Sequence, residues 1–172
     1  MRIVLRRSAL IAVCVIAGSC ADQVPQGPPT LTGTWRRGND RIRSLIAFVP
    51  YGDSLAFRWV RNAADGRRRT ECTWDGACEE RILGRKVGEY RCAVLPGAEA
   101  ARASVRCEGW LDEGERQDVS WTDDFVVEPD GITLKCYTRE ANGQTLEGDA
   151  RQLRTFTKVS PSVANPPRRL IS

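Results

Sequence analysis

Residues 115–140 read ERQDVSWTDDFVV (115–127), EPDG (128–131), ITLKCYTRE (132–140). Both long runs alternate apolar and polar side chains, the period of a strand with one buried face. Between them Pro129 presets φ and Gly131 accepts a positive φ, so the four residues predict a tight turn and the whole stretch a β-hairpin. If the turn pairs 127 with 132, then 125 meets 134 and 123 meets 136. One face then holds Val119, Trp121, Asp123, Phe125 and Val127 against Ile132, Leu134 and Cys136. Asp123 is the acid on this apolar face. A buried carboxylate needs a partner or a raised pKa. It is expected either to orient a ligand inside a barrel or to sit at an open rim, bonded to water or an arginine. A slip of one residue would turn Asp124 inward instead.

The same rhythm runs outward in both directions. IRSLIAFV (42–49) and SLAFRWVR (54–61) flank PYGD, and Leu55, Phe57 and Trp59 alternate with polar or small neighbours, so they are expected to face the core. AADG (63–66) leads towards a strand near 67–74. GEYRCAV (88–94) and ARASVRCEGW (101–110) flank LPGAEA. ANGQ (141–144) supplies Asn-Gly, a two-residue hairpin signal, ahead of a last strand ending LRTFTKVS. Only 75–86, around GACEERILG, predicts a short helix. About eight or nine strands in hairpin order, without a long amphipathic helix, predict an all-β fold: a single antiparallel meander barrel or a sandwich. Trp59, Trp110 and Trp121 are expected mainly as core packing, with Trp59, Trp121 and Asp123 as the candidate ligand-pocket residues.

LTGTW (31–35) opens the first strand and LRTFTKVS closes the last. This arrangement resembles the small lipocalin-like barrels of bacterial lipoproteins, in which a Gly-x-Trp on the first strand plugs one end; Gly33 and Trp35 are the matching positions. The resemblance implies that an arginine from the last strand, Arg154 or Arg151, lies over that tryptophan. It also implies an interior that takes a small apolar ligand.

The chain starts with Arg2, Arg6 and Arg7, followed by an apolar segment from Ser8 to Gly18, the layout of a secretory signal peptide and too short to span a bilayer. Ala17 to Cys20, AGSC, resembles the lipobox of bacterial lipoproteins, with Ala17 where that family usually has Leu, Val or Ile. The resemblance implies cleavage before Cys20, a diacylglycerol on its sulfur and a membrane partner. Ordinary cleavage after Ala21, giving a periplasmic or secreted protein, is the other reading. No acidic residue directly follows Cys20, which in that family directs the protein to the outer rather than the inner membrane. The expected organisation is a signal peptide at 1–19, a lipid-anchored tether at 20–30 (rich in Pro, Gln and Gly), a β-domain at 31–159 and a tail at 160–172.

Loss of residues 1–19 removes three of the 26 basic residues and none of the 22 acidic ones, leaving 23 against 22 and a net charge of +1. Such a protein has no long-range field to gather phosphate backbones, so nucleic acid is not an expected partner; Arg67-Arg68-Arg69 reads as a solvated turn. Of seven cysteines, Cys14 leaves with the leader and Cys20 is the anchor. The other five lie in an oxidising compartment. Cys92 and Cys107 lie in consecutive predicted strands with their midpoint, 99.5, inside the LPGAEA connection, where a bridge would cross-link the hairpin. Cys72 and Cys78 enclose TWDGA, a loop that a bridge would pin; Cys78–Cys92 is the alternative pairing. Cys136 is then the free thiol.

The chain contains no histidine. That removes Ser-His-Asp and Cys-His catalysis and the commonest zinc ligand. The acid pairs Asp123-Asp124 and Glu79-Glu80 are adjacent on strands and so point to opposite faces, which disfavours two-carboxylate hydrolysis. No enzyme activity, metal or cofactor is expected. Two functions remain: a carrier for a small apolar ligand, or an interaction module of an envelope complex that presents Trp74 on the 72–78 loop.

Overall fold

The hairpin of residues 115–140 forms as β8 (Arg116–Val127) and β9 (Thr133–Ala141), but its turn is wider than expected. Val127 pairs with Leu134, Phe125 with Cys136 and Asp123 with Thr138, two residues beyond the expected register. The cause is Asp130, whose carboxylate accepts the backbone N–H groups of Ile132 at 3.0 Å and Thr133 at 2.8 Å. Ile132 is thereby kept in the turn and exposed. A shift of two preserves the alternation, so Asp123 still faces inward and is buried, while Asp124 lies on the outer face with Ser104.

The computed structural model describes residues 28–38 and 42–164. The expected signal peptide, Cys20, most of the tether and the end of the tail lie outside the described residues. The other strands are β1 (Gly33–Gly38), β2 (Ile42–Tyr51), β3 (Ser54–Ala63), β4 (Arg68–Cys72), β5 (Ala77–Ile82), β6 (Arg85–Val94), β7 (Arg102–Asp112), β10 (Gln144–Thr145) and β11 (Leu153–Ser160). β1 to β9 pair in sequence order except that β1 and β9 also flank β11, so the antiparallel sheet closes into a barrel-like ring; β10 is a two-residue ribbon on β9. This all-β meander matches the expected fold class.

One expected element is replaced. The predicted helix over 75–86 is instead β5, with Cys78 and Glu80 inward and a turn through Leu83 and Gly84, both at positive φ. The alternation of buried and exposed residues in ACEERI outweighs its helix propensity once β4 and β6 offer pairing on both sides. This strand brings the ring to ten members. An all-antiparallel ring requires an even number, because an odd one forces a parallel pair.

One end of the ring is filled. Leu31, Trp35, Phe48 and Leu134 are fully buried there, and Trp35 donates its indole N–H to the Leu31 carbonyl at 2.8 Å. Phe48, Phe57 and Phe125 form a ring cluster with centroids 5.3–5.9 Å apart. Gly33 stands at the seam with φ +129°, where a Cβ would come within 2.6 Å of the Ser160 carbonyl oxygen. The cation over Trp35 is Lys158, neither Arg154 nor Arg151: Lys158 pairs directly with Trp35 across the seam, its Nζ 4.9 Å from the ring centroid, while Arg151 lies over Tyr137. Arg154 is four residues further along β11, roughly 13 Å away at strand spacing, and belongs to the other end.

The disulfides are Cys72–Cys78 and Cys92–Cys107, each joining directly opposed residues of neighbouring strands. Cys78 and Cys92 are not bridged, although their sulfurs are 3.5 Å apart. Cys136 is free and buried.

Two stability measurements test this account. Urea unfolding of Cys92→Ser/Cys107→Ser is expected to show a loss of about 3 kcal/mol and Cys72→Ser/Cys78→Ser about 2 kcal/mol, because the closed loops differ in length. Trp35→Ala is expected to cost about 3–5 kcal/mol, and Trp110→Ala much less, since Trp110 is half-buried on the outer face under the Arg116 guanidinium.

Candidate functional site

Away from the Trp35 plug the interior is not filled. A cavity of about 230 Å³ lies between β1, β2, β3, β7, β8, β9 and β11. Phe57, Trp59, Trp121, Phe125 and Phe156 supply its aromatic wall. The exposed Gln152 and Leu153 at the start of β11 mark its rim. The three sequence-derived pocket residues, Trp59, Trp121 and Asp123, all line this space, together with Arg154, which the resemblance places at the plugged end. Trp121 is held edge-on against Tyr90, with centroids 5.0 Å apart.

Asp123 is the polar centre of the cavity. Its carboxylate accepts from the Arg154 guanidinium and, at 2.8 Å, from the Thr138 hydroxyl; Arg154 also donates to Thr138 Oγ1 at 2.9 Å. Burial pushes the Asp123 carboxyl above its usual range, and Arg154 and Thr138 pull it partly back. Burial is the largest single influence on Arg154 and would lower it, but Asp123 and Cys136 together more than offset it and hold the guanidinium above its ordinary value. Cys136, two residues from Thr138 on β9, has its thiol pushed far up by burial, so it is a poor nucleophile.

Two further arginines line the cavity, Arg37 and Arg61. Neither was singled out from the sequence, yet alternation alone finds them: Arg37 follows Trp35 by two residues and Arg61 follows Trp59 by two. Glu80 was likewise missed as an inward acid. It is buried and paired with Arg68, which also holds Glu113 at 2.5 Å.

No protein-family model, curated protein or solved structure matches the chain. The chemistry of the site therefore rests on its own residues. Among the described residues, the grouping of donor atoms with metal-like spacing is Cys72, Cys78 and Cys92, whose sulfurs lie within 4.8 Å of one another. All three are in disulfides, which leaves no thiolate to bind a cation. The inward carboxylates Asp123 and Glu80 are each engaged by an arginine. Trp74 is half-buried in a turn closed on itself, where Thr73 Oγ1 donates to the Ala77 carbonyl at 3.0 Å.

Two measurements follow. Because the native Asp123 pKa lies above its unfolded value, the folded state binds the extra proton between the two. The stability of the wild type relative to Asp123→Asn is therefore expected to be highest below about pH 4 and to fall as pH rises through the native pKa; parallel urea titrations across pH check this. Cys136 is expected to resist iodoacetamide in the native protein and to react once unfolded, the added mass giving one free thiol in the domain.

Proposed function

We propose that this chain is an exported envelope lipoprotein, anchored through Cys20, whose β-ring carries a small apolar ligand without catalysing a reaction on it. The observation that carries this reading is the cavity of about 230 Å³ inside a ring that is packed at the Trp35 end. A cavity of about 150 Å³ lined by apolar groups suffices for benzene, so this one has room for a single ring and a substituent. Its aromatic walls give a ligand apolar surface to bury.

An interaction module presenting Trp74 has less support. The exposed large apolar side chains among the described residues, Leu45, Tyr51, Leu83, Ile132, Leu153 and Val159, are distributed over several elements and include none from the 72–78 loop. Attachment through Cys20 rests on the AGSC sequence and on the Pro-rich stretch between it and β1.

Native mass spectrometry of the membrane-purified protein is expected to show a diacylated Cys20, which Cys20→Ser abolishes together with membrane association. Fluorobenzene, followed by ¹⁹F NMR, is expected to bind saturably and to be displaced from a Val105→Phe variant, whose added ring fills the cavity. Absence of saturable binding to the wild type would remove the carrier reading.

A further inference from the structure

The cavity has an aromatic wall, but its polar groups are unbalanced. Among the described residues, three guanidinium groups line it, Arg37, Arg61 and Arg154, against a single carboxylate, Asp123. That carboxylate is already taken by Arg154 and Thr138. Arg61 is half-buried and close enough to Arg154 to feel its charge; the acid that offsets it most, Glu80, is bound by Arg68. The charge of Arg37 reaches Cys136, which lies across β11 on the same flank of the ring. Two buried N–H groups of lining residues, Trp59 Nε1 and Arg154 Nε, have no acceptor at all. Buried donors without acceptors are costly. The cavity thus has surplus donors and positive charge at one level and aromatic surface at the next.

A neutral hydrocarbon would satisfy the aromatic level only. A cation would be repelled. A ligand that brings acceptor atoms and a negative charge would satisfy both, through the charge-assisted bonds that guanidinium groups make to carboxylates. The volume limits the rest of the molecule to about one ring and a short chain. We propose that the ligand is a small aromatic carboxylate, its ring against Phe57, Trp59 and Phe156 and its carboxylate at Arg37 and Arg61, beside the Asp123–Arg154 pair. This deepens the carrier reading and rests on it.

The test compares three probes of one size on the mature full-length protein in detergent: phenylacetate, 2-phenylethanol and 2-phenylethylammonium, titrated by calorimetry. Phenylacetate is expected to bind at least about tenfold more tightly than the alcohol, since a hydrogen bond to a charged group is worth roughly one such factor or more. The ammonium compound is expected not to bind. Arg61→Gln and Arg37→Gln are each expected to lower the affinity for phenylacetate about tenfold and that for 2-phenylethanol much less, so that the acid–alcohol selectivity narrows, with near-UV circular dichroism confirming the fold. Selectivity in the wild type stands independently of whether either variant folds. Equal binding of acid and alcohol, or preference for the ammonium, overturns the proposal and leaves the carrier reading intact. Unchanged selectivity in both folded arginine variants also overturns it. If neither phenylacetate nor the alcohol binds while fluorobenzene does, the anionic head group is wrong and the apolar carrier stands. If fluorobenzene fails as well, both fall.

Discussion

The pairing of β1 with β11 closes the sheet, and everything inside depends on that seam. It brings Trp35 opposite Lys158 and places Gly33 against the Ser160 backbone, where a side chain would not fit. Lys158 spans the join twice, lying over the Trp35 ring and donating to the Thr30 carbonyl at 3.2 Å. With the seam made, each ring strand has a neighbour on both sides, and no backbone edge of the ring is left to recruit another chain. The interior becomes a separate compartment with its own dielectric environment. Only there can a pair such as Asp123–Arg154 have its ionisation set by burial.

Strand alternation sorts that compartment into levels. On β1 the inward column runs Gly33, Trp35, Arg37; on β3 it runs Phe57, Trp59, Arg61; on β11 it runs Lys158, Phe156, Arg154. β1, β3 and the far C-terminal β11 therefore each place an arginine one step above an aromatic residue. The aromatic residues bury area at the packed end, and the arginines meet where the ring opens. The same period that folds the sheet thus grades its interior from apolar to cationic, with no loop or insertion needed to build a site.

Much of this was legible in the residues and some was not. Most hairpins and the inward face of β8 follow from alternation and from turn residues, which are local signals; the same signals favour Cys92–Cys107 and Cys72–Cys78 but leave Cys78–Cys92 open, since those two sulfurs are also neighbours. The exact register of β8 on β9 was not legible, because it depends on Asp130 capping Ile132 and Thr133, a side-chain choice that competes with the simple turn. β5 was hidden because EERILG has helix-forming composition and only the neighbours on either side make it a strand. Arg154 was assigned to the wrong aromatic because resemblance fixes which strand carries a cation but not its height; the residue directly opposite Trp35 is Lys158. Pairing at long range, unlike pairing across a turn, leaves little trace in sequence.

The two disulfides lie side by side on β4 to β7, one flank of the ring. The seam, on the other flank, joins residues 128 positions apart and has no covalent tie among the described residues. The molecule is therefore mechanically asymmetric: a stapled flank formed by neighbours in sequence, and a flank whose formation must wait for the chain's far ends to meet. The cavity is bordered on three strands of that second flank, β1, β9 and β11. Three walls of the cavity therefore rest on non-covalent pairing alone, so its shape depends more on the seam than on the two staples.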